Sequence, residues 1–356
     1  MLKSLRYILF PFSVIYGSII EIRNQLFDKK ILRSAIFDFP LICVGNLAAG
    51  GTGKTPMVEY LVKMLGKKYI VATLSRGYKR KTKGFFIANE KTKASEIGDE
   101  PMQIHLKFPN ITVAVAEERI TGIPQVLNDK PETEIIILDD AFQHRQVNAG
   151  LNILLTDYNH LYTEDFLLPF GTLRDRKSSS KRAQIIVVTK CKNGLDENER
   201  KKIIDDIEPL PGQKVYFTKI SYSNPYHLFS KKEIVLERSM DVYLVCGIAN
   251  PKKITEVLRE SISSFQIQQY KDHHDFHAND IKEIIEHFSE IKNSEKVILT
   301  TEKDAVKLLQ FQNDLNDLPI YVLPMQHEFL FHEGEAFDKE IIMFINSFEK
   351  NSNELN

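Results

Sequence analysis

The chain of 356 residues carries no excess of either charge: 47 Lys and Arg stand against 48 Asp and Glu, for a net charge of −1. Nucleic-acid binding draws on a basic surplus, so the balance argues against a nucleic-acid partner. Cysteine is scarce. Cys43, Cys191 and Cys246 lie far apart and form no ligand spacing. Two of them sit inside apolar strand-like runs, which implies buried thiols in a reducing compartment. The apolar run Tyr7–Ile20 stops at 14 uncharged residues, short of the roughly 20 that a spanning helix needs. Otherwise the composition, 43% hydrophobic and 27% charged, is that of a globular chain long enough for two domains.

What is present centres on Ala48–Thr55, read AAGGTGKT, directly after the apolar run Leu41–Val44. A short strand, a glycine-rich loop and Gly-Lys-Thr opening a helix form a phosphate-binding P-loop. Ala48, Ala49, Gly50, Gly51, Thr52 and Gly53 supply backbone N–H groups at a helix N-terminus. Lys54 reaches the β- and γ-phosphates, and the hydroxyl of Thr55 serves Mg²⁺. The usual leading glycine is missing, because that position is Ala48. The alternative is a glycine-rich turn without a ligand.

Apolar runs recur at Tyr69–Leu74, Ile111–Ala116, Glu134–Leu138, Leu151–Leu155 and Gln184–Thr189. Continuous rather than alternating runs predict strands buried on both faces of a parallel sheet, hence an α/β layered domain. The P-loop, Ser75, Asp139 and Asp157 all follow such runs and should share one rim. A turn-rich stretch near residue 222 suggests a boundary. Beyond it, Val242–Cys246, Val297–Thr300 and Ile320–Leu323 read as further strands, and Thr301–Asp304 as a capping-box helix start. The expected division is 1–33, 34–222 and 223–356.

The first 33 residues hold Lys3, Arg6, Arg23, Lys29, Lys30 and Arg33 around the apolar run, against Glu21 and Asp28. No small-residue cleavage site follows, and export would part a P-loop from its ATP. A core helix is one reading. The favoured one is an interfacial helix with its apolar side in the membrane and its cations on anionic headgroups. Pro11 is expected to kink that helix.

Asp139 and Asp140, at the end of the strongest strand, are the carboxylates expected to meet Mg²⁺. Gly98–Pro101 offers Asp99 and Glu100, either as acceptor-activating groups or as an exposed capping pair. Asp272–His277 contains His273 within a His-rich run, open to an acid/base relay, a metal site or a solvated loop. Basic clusters around Arg76 and Arg174 suit an anionic acceptor or lipid. Thr189-Lys190-Cys191-Lys192 places Lys192 where a guanine-reading loop needs Asp, so ATP is favoured over GTP.

Together VGNLAAGGTGKTP (Val44–Pro56), SRGYKRK (Ser75–Lys81), GDEP (Gly98–Pro101), LDDAFQHR (Leu138–Arg145), LPFGTLRD (Leu168–Asp175), DHH (Asp272–His274) and TEKDAVK (Thr301–Lys307) resemble the tetraacyldisaccharide 4′-kinase family of lipid A biosynthesis. That family's P-loop also tends to lack the first glycine. The resemblance implies a P-loop NTPase-type α/β/α sandwich with a second, smaller α/β/α domain on a two-stranded linker, the smaller domain closing on nucleotide. It implies transfer of the ATP γ-phosphate, with Mg²⁺, to the 4′-hydroxyl of tetraacyldisaccharide 1-phosphate at the cytoplasmic face of the bacterial inner membrane. Asp99 then resembles the catalytic base and His273 its partner. Arg174 resembles a charge stabiliser or substrate clamp, Lys54 a catalytic residue of the P-loop, and Glu100, Asp139, Asp140 and His144 site residues around Mg²⁺ and substrate, with Arg76 and Asp175 beside them. Asp175-Arg176 departs from the family's frequent Glu-Pro. A soluble-substrate P-loop kinase and a membrane-tethered nucleotide switch are the competing functions.

Overall fold

The computed structural model describes residues 7–248, 250–272 and 274–354, with side chains followed to residue 348. Lys3, Arg6 and His273 lie outside the described residues. The first compact unit comprises residues up to 97, 104–220 and from 327 on; the second comprises 98–103 and 221–326.

The first unit contains strands β1 (Leu41–Asn46), β2 (Val71–Ser75), β3 (Phe86–Ile87), β4 (Thr112–Val115), β5 (Ile135–Asp139), β6 (Leu151–Asp157), β7 (Ile185–Thr189) and β8 (Lys214–Tyr222). Its helices include α1 (Phe10–Asp28), α2 (Lys54–Leu65), α3 (Asp99–Lys107), whose first turn belongs to the second unit, and α4 (Arg119–Asp129). The second unit has β9 (Tyr226–His227), β10 (Asp241–Cys246), β11 (Ser264–Gln269), β12 (Lys296–Thr301) and β13 (Ile320–Leu323), with α5 (Lys252–Ser261), α6 (Ala278–Glu290) and α7 (Glu302–Leu308). The chain then passes through β14 (Met325–Phe329) into α8 (Gly334–Glu354).

The large sheet runs β14-β8-β7-β6-β1-β5-β2-β4-β3. From β8 to β4 every neighbouring pair is parallel, and the edge pair β3/β4 is antiparallel. Every residue of β1, β2, β5 and β7 is buried, as expected of strands covered on both faces. Parallel direction sends Asn46, Ser75, Asp139, Asp157 and Thr189 to one rim. The smaller sheet runs β9-β13-β12-β10-β11. Along β10, Tyr243 and Val245 enter one apolar cluster while Val242, Leu244 and Cys246 enter another. That period of two places a helical layer on each face.

Besides the two-residue β3 and β9, three strands escape the sequence pattern. β11 is mostly exposed and polar, and β8 and β14 mix exposed with buried positions. The C-terminal segment also differs from the expected 223–356 block. Residues from 327 on return to the first unit, because α8 buries Phe337, Ile341 and Ile345 there. Phe337 packs with Tyr60, Tyr216 and Phe329 in a set of aromatic contacts.

Helix α1 is amphipathic in an inverted sense. Its buried positions are Ser13, Gly17, Ile20 and Asn24, spaced as one helical face. Phe12, Ile15, Ile19 and Ile22 are each about 59–60% exposed on the other. Pro11 sits in the first turn, where the missing N–H breaks no helical bond, so the expected kink gives way to an ordinary helix start. The buried face is fixed by polar bonds. Ser13 Oγ donates to the Leu167 carbonyl at 2.8 Å, Tyr16 Oη to the Arg174 carbonyl at 2.9 Å, and Asn24 Nδ2 to Asp175 Oδ1 at 2.8 Å. Among the described residues no helix is long and apolar enough to cross a membrane.

Asp175 is fully buried and also pairs with Arg182 at 3.2 Å. It is placed as an anchor for α1. Removing one member of such a pair leaves the rest desolvated, so Asp175→Ala is expected to lower unfolding free energy by about 2–4 kcal/mol. Thermal and urea unfolding followed by circular dichroism check this; an unchanged midpoint would remove the anchoring role.

Candidate functional site

The P-loop leaves β1 at Asn46 and enters α2 at Lys54. Gly50 and Gly53 take φ of +118° and +86°, a region that side chains with a Cβ rarely occupy. The loop is held from outside by its carbonyls. Thr189 Oγ1 donates to the Thr52 carbonyl at 2.8 Å, Lys190 Nζ to that of Gly51, and His327 Nε2 to that of Gly53 at 2.9 Å. A planar peptide directs its N–H opposite to its C=O. The N–H groups of Thr52, Gly53 and Lys54 therefore face away from these anchors, as an anion cradle requires. The start of the loop is tied separately: Ala48 bridges to Leu173 and the Ala49 N–H donates to the Thr172 carbonyl at 2.7 Å.

Charged side chains converge beside the loop. Arg174 grips Asp140 through both terminal guanidinium nitrogens, Nη1 and Nη2, at 3.1 and 2.8 Å. Lys54 Nζ is 3.7 Å from Asp140 and donates to Asn46 Oδ1 at 3.3 Å; Arg174 donates to the same amide oxygen. Burial pushes the Asp140 carboxyl up, but bonding to Arg174 and the charges of Lys54, Arg174 and Arg119 outweigh it and hold the group down at about 2. Arg119 is only 1% exposed and donates to the carbonyls of Ala116 (2.6 Å) and Asp139 (3.2 Å). Burial brings it down to about 10, still a cation at neutral pH. Burial, then Arg119 and Arg76, push the His144 imidazole down to about 4, so it is neutral at pH 7.

Among the sequence-derived candidates, Lys54, Asp140 and Arg174 thus meet directly. Asp139 lies buried at the same strand end, and Thr55 occupies the first turn of α2. Arg76 is exposed and reaches this cluster through its charge on Arg119 and His144. Asp175 turns instead toward α1. In the second unit Asp99 and Glu100 open α3, and Asp99 Oδ2 lies 2.9 Å from Lys307 Nζ. His274 pairs with Asp280 at 2.9 Å, and His277 caps α6. Among the described residues no three His, Cys, Asp or Glu side chains converge as a metal cage. Mg²⁺ needs no such cage, since it binds through one or two carboxylates, substrate phosphates and water. The all-oxygen set of Thr55, Asp139 and Asp140 fits that chemistry.

Sequence reasoning passed over Asn46, Arg119, Lys190 and His327. Asn46 ends an apolar run and reads as a strand residue. Thr189-Lys190 counted only as a failed guanine signature, yet both residues hold the P-loop backbone. The three cysteines are buried as expected, with burial raising the Cys43 and Cys246 thiols to about 12.

His327 donates from Nε2 to the Gly53 carbonyl, so its Nδ1 accepts from Thr218 Oγ1 at 2.9 Å. This geometry requires the neutral ring, and burial lowers it to about 4. The unfolded state then binds the extra proton between pH 6.5 and about 4, so stability falls as pH drops through that window, by ~3 kcal/mol for a shift of this size. His327→Gln is expected to flatten that part of the stability–pH curve. Urea unfolding between pH 4 and 7 measures it, and an unchanged slope would oppose the assignment.

A family profile described as LpxK, tetraacyldisaccharide-1-P 4′-kinase, matches residues 5–345. A tetraacyldisaccharide 4′-kinase of Flavobacterium psychrophilum is 45% identical over 98% of this chain and 99% of its own length. That of Bacteroides thetaiotaomicron is 42% identical over 97% and 94%. A crystal structure of LpxK from Aquifex aeolicus, described as an "apo" form in complex with ATP, superposes with a TM-score of 0.74 at 30% identity, covering 96% of this chain and 99% of that one. Profile, relatives and fold agree along nearly the full length, and this chain belongs to the tetraacyldisaccharide 4′-kinase family.

Proposed function

We propose that the protein transfers the γ-phosphate of ATP to the 4′-hydroxyl of tetraacyldisaccharide 1-phosphate, the lipid IVA-forming step of lipid A biosynthesis. The observation that carries this is the junction of P-loop, Lys54, Asn46, Arg174 and Asp140 in a chain of this family. The loop N–H groups take the polyphosphate. Lys54 and Arg174, paired with Asp140 in this structure, turn to the charge that spreads over the transferring group. Thr55, Asp139 and Asp140 would hold Mg²⁺, which when bound would offset the charge of the phosphates. Asp99 accepts the proton of the sugar hydroxyl as the new P–O bond forms and the bond to the leaving ADP oxygen breaks. His273 orients Asp99, and the smaller unit closes on the nucleotide to bring this pair to the phosphate. Transfer is direct and in line, without a phosphoenzyme.

The lipid reading draws on α1. Its exposed apolar face sinks into one leaflet at the cytoplasmic side of the inner membrane. Tyr7, Phe10, Phe166 and Phe170 form a contiguous aromatic group beside it, suited to the headgroup level. A cleft of about 500 Å³ lies under α1, lined by Ser13, Gly17, Phe166, Leu167, Arg176 and Lys177. It offers apolar walls to acyl chains and cations to a phosphate.

Transfer of labelled γ-phosphate to tetraacyldisaccharide 1-phosphate in mixed micelles tests the reaction. Lys54→Ala and Asp99→Ala, folded by circular dichroism, are each expected to lose at least about a hundredfold in turnover. Absence of product from folded, ATP-binding wild type would reject the acceptor and turn attention to a soluble sugar. For the membrane, Phe12→Gln/Ile15→Gln/Ile19→Gln leaves the buried face of α1 intact. Vesicle sedimentation should fall about tenfold or more at the ~25 cal/mol per Å² of apolar surface; unchanged sedimentation would reject α1 as the anchor.

A further inference from the structure

In the second unit one ammonium group joins segments far apart in sequence. Lys307 Nζ lies 2.9 Å from Asp99 Oδ2 and donates to the His274 carbonyl at 2.8 Å. The lysine side chain is 5% exposed and that of Asp99 20%. A lysine this deeply buried is costly unless its charge is paired and its donors are used. Both conditions are met by these two segments.

The start of α7 is built to deliver it. Thr301 Oγ1 accepts the Asp304 N–H at 3.2 Å. Asp304 does not complete the capping box expected from the sequence; its fully buried Oδ2 accepts from Thr301 Oγ1 at 2.6 Å and from the Gly247 N–H at 2.9 Å. That carboxylate pins the first turn of α7 to the ends of β12 and β10. Residue 247 has to be glycine for this approach, since a Cβ there would stand 2.9 Å from Asp304 Oδ1 and 3.3 Å from the Lys271 carbonyl. Lys303 and Lys307, four apart on one helical face, then reach outward together. Lys303 takes Asp272 at 3.0 Å, and Lys307 takes Asp99 and the His274 carbonyl. The motif TEKDAVK becomes a two-lysine clamp on the DHH and GDEP segments.

We infer that Lys307 is a positioning residue for phosphoryl transfer. Its ammonium fixes the Asp99 carboxylate in one rotamer and ties it to the segment that carries His273. The inference rests on Asp99 being the base. Lys307 exchanges no proton in the step: the hydroxyl proton passes to Asp99, and the ammonium keeps its three. The lysine therefore acts on turnover through the carboxylate and not on nucleotide affinity.

The test uses the full chain in mixed micelles, with kcat and the KM for ATP measured for wild type, Asp99→Asn, Lys307→Met, Lys307→Gln and the double variant Asp99→Asn/Lys307→Met, and melting of each. Lys307→Met is expected to lower kcat about tenfold or more with the KM for ATP within about twofold. Lys307→Gln keeps a donor without the charge, should lose less, and takes the place of the Met variant if that one does not fold. In the Asp99→Asn background the lysine change should cost nothing further, because a group that acts through another is silent once the other is gone. Unchanged kcat in a folded lysine variant, a raised KM for ATP at constant kcat, or an equal loss in the Asp99→Asn background would each overturn the inference while the base stands. An Asp99→Asn enzyme of near-normal turnover would instead remove the base, and this inference with it.

Discussion

The ionised carboxylate of Asp140, one residue past the end of a buried parallel strand and partly exposed, is paired on two sides, and that pairing organises much of the first unit. Arg174 meets it bidentately and Lys54 approaches from the helix that follows the phosphate loop. The segment that brings Arg174 is itself laced to the loop: its Arg174 N–H donates to the Leu47 carbonyl at 2.7 Å, and Leu173 and Thr172 bond Ala48 and Ala49. The same segment receives α1, through Tyr16 on the Arg174 carbonyl and Asn24 on Asp175. The phosphate loop, the cations beside it and the apolar helix are thus mounted on one stretch of ten residues or so. Lipid held at α1 and phosphate held at the loop would share a rigid reference.

The loop depends on a second set of constraints. Three consecutive carbonyls are taken by Thr189, Lys190 and His327, which come from the end of β7 and from β14. This explains why the chain, after building the second unit, returns to the first. β14 carries His327 to Gly53, and α8 then covers the sheet with Phe337 and Ile341. A neutral imidazole suits the task because it donates on one side and accepts on the other, without adding charge behind an anion site.

In the second unit the same logic is applied to backbone segments instead of a loop. Asp304 spends its carboxylate on Gly247 and Thr301. Burial raises that group, and its bonds to Thr301 and Gly247 and the nearby Lys307 and Lys303 only partly counter this. A carboxyl raised in this way marks a place where local folding stability has been given up for geometry. The geometry gained is the alignment of two lysines on neighbouring segments.

The sequence by itself determined the layered α/β class and the phosphate loop. Both are signalled locally, by runs such as Ile135–Leu138 that fit only a doubly covered strand, and by glycines, lysine and threonine within eight residues. It also determined that α1 is apolar on one side. It did not determine which side is buried, because Ser13, Gly17 and Asn24 dock by hydrogen bonds rather than by hydrophobicity. The tertiary structure alone decided the partners of Asp140, the return of 327–348 to the first unit, and the meeting of Gly53 with His327 and of Asp99 with Lys307. The last two pairs stand more than 200 residues apart in sequence, and an isolated Asn, His or Lys carries no periodicity. Their roles arise from desolvation and charge neutralisation, which exist only once the chain has closed around them.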